Sequence, residues 1–113
     1  MYRSEIWLIN LDPTIGSEIK KIRPAVIVSE DSIGILPLRV VVPITNWQER
    51  YVIASWMIKI ESSTQNGLQK QSCADTFQVR SVAQQRFIRK LGELSEIEMK
   101  PIIKGLATVL VIK

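Results

Sequence analysis

EIWLINLDPTIGSEIKKIRPAVIVS, residues 5–29, sets two apolar runs of strand type on either side of a polar, charged connection. Residues 5–11 and 25–28 are short, rich in β-branched and aromatic side chains, and bounded by turn formers, so they read as strands. Between them Gly16 permits a tight bend and Lys20, Lys21 and Arg23 put three cations within four residues. Pro24 fixes the backbone immediately after Arg23. A guanidinium anchored at the entrance of a buried strand, beside a cationic loop, has the chemistry of a phosphate site. The same residues also fit a plain solvated face, with Arg23 paired to Glu18 or Asp12.

Working outward, LRVVVPIT (38–45) and ASWMIKIE (54–61) continue the β-type pattern. Residues 24–28 and 38–44 are almost wholly apolar, as expected of central strands covered on both faces. Asp31, Gly34 and Pro37 mark a turn between them, and Asn66-Gly67 in ESSTQNGLQKQ marks another. Short strands with closely spaced turns imply an antiparallel barrel or a strongly curled sheet. In the C-terminal third, SVAQQRF suggests a short helical turn and IRKLGEL a last strand. Ser95 then precedes Glu98 by three residues, a capping box, and Met99, Ile102, Ile103, Leu106 and Leu110 follow at helical spacing. Pro101 conflicts with that helix: either it starts near 99–100 or it is kinked. All 113 residues read as a single mainly β domain with a C-terminal helix.

Hydrophobic residues make up 46% of the chain and charged residues 23%, an ordinary folded balance. No apolar run approaches the roughly 18 residues needed to cross a bilayer, which points to no membrane partner and a cytoplasmic address. A lone cysteine, Cys73, with no histidine excludes a structural zinc site and reads as a small core residue. The acidic residues are scattered, so neither metal nor other cofactor is expected. Fifteen Lys and Arg against 11 Asp and Glu give +4, a balance that favours a polyanionic partner such as nucleic acid.

Without histidine, catalysis must come from Arg, Lys, Thr, Ser, Glu, Asp or Tyr. The run 38–45 ends in Thr45, a hydroxyl at the mouth of the sheet. Beside Arg23 it would complete a compact constellation; alone it would bond its own backbone. In CADTFQVR (73–80), Gln78 and Arg80 can bond base edges and phosphates, and Trp47 and Tyr51 can stack on unpaired bases. Asp75 can instead hold Arg80 or Arg86 in an ion pair.

Together, residues 5–29, VVVPIT, NGL with Asp75 and Gln78, RFIRKLGEL and the C-terminal helix resemble the MazF/PemK family of toxin endoribonucleases of type II toxin–antitoxin modules. The resemblance covers nearly the whole chain, and DPTIGSE followed by RPAVIVS is its most specific part. It implies an SH3-like small β-barrel of the MazF/PemK/CcdB type, a homodimer, and metal-independent, sequence-specific cleavage of single-stranded mRNA. It also implies that Arg23 and Thr45 are catalytic. Glu18, Lys20, Lys21, Trp47, Gln78 and Arg80 would then face the RNA, and an acidic, MazE-like antitoxin would cover the basic surface.

RNA brings its own nucleophile, the 2′-hydroxyl, so such an enzyme would leave a 2′,3′-cyclic phosphate and a 5′-hydroxyl. Ser4 replaces a glycine usual before the first strand of that family, and Pro101 is unusual in its helix. The rival reading is a non-enzymatic, CcdB-like toxin that inhibits gyrase on the same barrel.

Overall fold

The computed structural model describes residues 1–33 and 35–113. Gly34, one of the expected turn residues, lies outside the described residues. Seven strands run in chain order: β1 (Glu5–Asn10), β2 (Ile22–Ile27), β3 (Leu38–Asn46), β4 (Met57–Ile60), β5 (Ser72–Asp75), β6 (Arg80–Ala83) and β7 (Phe87–Glu93). The helix α1 (Glu96–Leu110) follows. Every pairing is antiparallel, in the order β4-β5-β3-β2-β1-β7, with β6 also on β3. Among the described residues β4 and β7 do not pair, so the sheet is not closed into a hydrogen-bonded barrel. Its extents of 37 × 34 × 32 Å show that it bends around its core rather than lying flat.

The wholly apolar runs have the cause expected of them. Successive residues of β1, β2 and β3 point to opposite faces, and each face carries its own core. Ile6, Val26, Val42 and Ile44 pack with Met99 and Ile102 of α1 on one side. Ile9, Ala25, Ile27, Val41 and Val82 pack on the other. Cys73, in β5, is fully buried, as a small core residue.

β2 starts three residues before the apolar run, because Ile9 pairs with Arg23 and Leu8 with Pro24 across the β1–β2 ladder. The β2–β3 ladder, by contrast, ends at Ala25↔Pro43. Neither Pro24 nor Pro43 has an N–H to donate, so the two strands part beyond that pair. β3 goes on to pair with β5 instead, through Ile44↔Ala74 and Thr45↔Cys73. Two prolines thus open the sheet at the ends that carry Arg23 and Thr45.

Ser81 to Ala83, read from sequence as part of a helical turn, belong to β6 and pair with β3. Alternation decides it, with Ser81 exposed and Val82 buried, and the 3-10 turn is confined to Gln84–Arg86. The capping box forms: Ser95 Oγ accepts from Glu98 N and Glu98 Oε1 from Ser95 N, so α1 starts there and runs through Pro101. The missing Pro101 N–H would have met the Ile97 carbonyl. Ile97 is 78% exposed, so the lost bond falls on the solvent side of the helix rather than in the core.

Candidate functional site

The loop 12–21 joins β1 to β2 and is stitched at its base. Leu11 N donates to Lys21 O at 2.9 Å, and Lys21 N to Asp12 Oδ1 at 3.0 Å. Lys21 sits at φ 70°, an uncommon conformation for a side-chain-bearing residue that these two bonds hold. Arg80 donates to Leu11 O at 3.3 Å, and Arg86 to Asn10 O and Asp12 O. The far side of the loop is held by Gln78, whose Oε1 accepts from Ile19 N at 2.6 Å and whose Nε2 donates to Asp75 Oδ2 at 3.1 Å.

Arg80 and Gln78, expected to face RNA, thus spend part of their hydrogen bonding on this loop. Asp75 faces Gln78 and Phe77 N rather than an arginine. Burial pushes its carboxyl above the ordinary range, against the lowering effect of those bonds.

Arg23 and Thr45 occupy the same face of the parted strands. Two residues beyond the pair Ala25↔Pro43 on each strand lie Arg23 and Thr45, so the same register carried on sets them opposite one another. Both are half-buried. Arg23 Nε makes one long bond, to Lys20 O at 3.4 Å. Among the described residues no carboxylate pairs with Arg23, and the Thr45 hydroxyl has no hydrogen bond. Neither bland alternative, a surface ion pair or a self-bonded threonine, describes them. A half-buried cation with one long bond and a half-buried hydroxyl with none thus stand on one face where the two strands part.

Next to them, on the side of Pro43, lies a groove of about 520 Å³. The loop gives it Ser17, Glu18 and Ile19, and the segment after β5 gives it Phe77, Gln78, Val79 and Arg80. Three expected residues, Glu18, Gln78 and Arg80, therefore meet there. Lys20 and Lys21 are exposed along the loop. Trp47 stands past Thr45, edge-on to Tyr51 at 5.9 Å, with its Nε1 on Glu49 at 3.1 Å and Lys59 Nζ 5.2 Å from its ring. It does not line the groove, and it extends the site in the opposite direction along β3.

The sequence singles out neither Phe77 nor Lys59, and it offers Arg86 only as an ion-pair partner of Asp75. Phe77 lay inside a stretch already singled out, and an aromatic residue between Asp75 and Gln78 was the available signal. Lys59 and Arg86 reach the site only through the fold. Cys73, the partner of Thr45 across the β3–β5 ladder, is no nucleophile: burial and the Asp75 charge push its thiol up to about 12. Among the described residues no group of three acidic, cysteine or histidine side chains is arranged to hold a metal.

Residues 2–110 match the family described as PemK-like, MazF-like toxin of type II toxin-antitoxin system. The endoribonuclease MazF9 of Mycobacterium tuberculosis is 35% identical over 112 residues, covering 94% of this chain and 92% of its own. The endoribonuclease PemK of Escherichia coli is 30% identical over 112 residues, covering 97% and 82%. In fold, MazF from Deinococcus radiodurans superposes with a TM-score of 0.80 at 18% identity, covering 97% of this chain and 96% of that one. An endoribonuclease solved with its cognate antitoxin from a mycobacterial species gives 0.78 at 18% identity, covering 100% and 97%.

Proposed function

Because the chain belongs to the PemK-like, MazF-like family of type II toxins, we propose that this endoribonuclease cuts single-stranded mRNA in the cytoplasm, at selected sequences and without a metal. What carries the reading is the uncommitted Arg23 guanidinium and Thr45 hydroxyl on one face of the parted β2 and β3. The names of the two relatives, both endoribonucleases, support it.

The chemistry follows from what RNA supplies. Its 2′-hydroxyl attacks the adjacent phosphorus in line with the departing 5′ oxygen, so no water has to be activated. Arg23 offsets the charge that builds on the phosphorane and helps the leaving oxygen take a proton. Thr45 bonds the scissile phosphate or passes on the 2′-hydroxyl proton. The products are a 2′,3′-cyclic phosphate and a 5′-hydroxyl. A regular A-form duplex resists the in-line geometry, hence the preference for single strands. Lys20, Lys21 and Arg80 attract the flanking phosphates, and Trp47 offers a stacking face.

A homodimer and an acidic antitoxin complete the reading. A net charge of +4 suits an acidic tail, and a structural neighbour was solved with its cognate antitoxin. Purified protein incubated with mixed single-stranded RNA in excess EDTA should cleave it, while Arg23→Ala should not. A single deoxynucleotide at the cut step should leave the strand bound and intact. Cleavage at the deoxy step would refute 2′-hydroxyl attack, and no cleavage by wild type would favour a binding toxin.

A further inference from the structure

The groove beside Arg23 and Thr45 has a chemistry that phosphate cleavage alone does not use. We infer that it reads one unpaired nucleobase next to the scissile phosphate, accepting bases with an exocyclic amino group and rejecting uracil. This rests on the endoribonuclease reading above and adds to it a substrate preference.

Size and position come first. A volume of about 520 Å³ suits one base with its sugar. Pro43, which lines it, lies two residues before Thr45 on the same face of β3. A base seated there belongs to a nucleotide flanking the one being cut. Arg80, with only Nη1 engaged by Leu11 O, has further N–H groups for that nucleotide's phosphate.

The walls suit a flat aromatic guest. Pro43, Ile19 and Val79 are apolar, and Phe77 is 67% exposed, an unusual state for a phenyl ring with no polar handle. Trp56 packs against it, with ring centroids 6.3 Å apart and planes tilted by 58°. That contact orients Phe77 before any ligand arrives. An exposed, pre-oriented ring is what a stacking base requires.

The polar edge supplies the selection. The Gln78 amide has both N–H groups engaged, by Asp75 Oδ2 and Ser17 O, and its oxygen already accepts from Ile19 N, so what capacity it has left is only that of a neutral acceptor. Ser17 carries a hydroxyl, which donates and accepts alike and so does not discriminate. Glu18 remains. Its Oε1 accepts from Ile15 N at 2.7 Å, which holds the carboxylate in place, and its Oε2 has no hydrogen-bond partner among the described residues. An ionised carboxylate only accepts. Cytosine N4, adenine N6 and guanine N2 each offer it an amino donor. Uracil offers a single N3–H between two carbonyl oxygens, and both repel the carboxylate.

Two measurements test this. Binding of short oligo(A), oligo(C) and oligo(U) to the uncleaving Arg23→Ala protein should place oligo(U) at least about fivefold weaker, and adding Glu18→Gln should erase the difference. Mapping 5′-hydroxyl ends from a randomised single-stranded RNA should show uracil depleted about tenfold at one position beside the cut. Glu18→Gln should relax that position alone. Phe77→Leu, apolar but not flat, should raise KM roughly tenfold with kcat little changed.

Several results would overturn the inference: uracil tolerated at every flanking position, or Glu18→Gln slowing all sequences equally, which would make Glu18 a catalytic group. RNA binding indifferent to both substitutions while an acidic antitoxin peptide is lost would assign the groove to the protein partner. Wild type that neither binds nor cuts RNA would instead refute the endoribonuclease reading itself, a separate outcome.

Discussion

Arg23 shows how much depends on side-chain shape rather than charge. In the proposed reaction its planar fork would present several N–H groups to a phosphorane at fixed angles, whereas a lysine presents a point charge on a flexible stem. Arg23→Lys should therefore lower kcat by at least about tenfold while leaving RNA affinity within about twofold; near-normal turnover would mean that charge alone suffices. Glu5 shows the reverse, a charge used for stability. It is 8% exposed and accepts from Tyr2 N and Trp7 Nε1, with Lys90 Nζ 3.2 Å away. Burial alone would raise its pKa, but Trp7, Tyr2, Lys90 and the N-terminus outweigh that and hold it below 4.5. Its folded pKa lies under the unfolded one, so its contribution is complete above about pH 4.5 and is lost as pH falls through the depressed value. Asp75, raised above 3.8, runs the other way, and its folded form loses ground as pH rises through that window. Denaturant unfolding of Glu5→Gln between pH 7 and 3 should show lower stability at neutral pH and a shallower acid decline than wild type. Parallel curves would remove Glu5 from the account.

At the level of elements, local propensity and tertiary packing disagree in α1, and packing wins. The box at Ser95 and Glu98 says where the helix starts, and Pro101 argues against it six residues later. Met99 and Ile102, buried in the core shared with β2 and β3, settle the matter. The helix accepts the proline because its lost bond falls on the exposed first turns. Pro101→Ala should then stabilise the protein by about 1–2 kcal/mol, part of the propensity gain being offset in the unfolded chain. Ser95→Ala should cost about 1 kcal/mol. Thermal unfolding should resolve the two as shifts of opposite sign, and a destabilised Pro101→Ala would show that proline is preferred there. The loop 12–21 makes a similar point. Its glycine and charges show only a bend and a cationic run, yet Gln78, Arg80 and Arg86 tie it down from positions 59 or more residues away. No local pattern could reveal that. Gln78→Ala should speed hydrogen exchange at the Ile19 amide at least about tenfold without altering exchange in β1; unchanged protection there would show that the loop is held by other bonds.

For the molecule as a whole, periodicity and punctuation reveal the principal strands, β6 excepted, and the capped helix, because each of those is a local property of residues 5–11, 25–28, 38–45 and 95–110. What they did not reveal is non-local: the parting of β2 from β3 at two prolines, the open rather than closed path of the sheet, and the exposed pairing of Phe77 with Trp56. Charge lies between these extremes. The total of +4 and the run of Lys20, Lys21 and Arg23 are plain from the sequence, but only the fold brings a fourth cation, Arg80, to the base of the same loop while Arg86 is spent on loop carbonyls. If those four cations meet phosphates, binding of a single-stranded RNA by Arg23→Ala, which keeps three of them, should weaken with salt along a log–log slope of about −2, at roughly 0.7 per phosphate. Adding Lys20→Ala and Lys21→Ala should bring that slope to about −0.7. Fluorescence anisotropy between 50 and 300 mM salt (about a sixfold range) measures both. A slope that the lysine substitutions leave unchanged would move the RNA path off the loop and onto the Trp47, Lys59 and Arg50 side of β3, where cations already lie against aromatic rings.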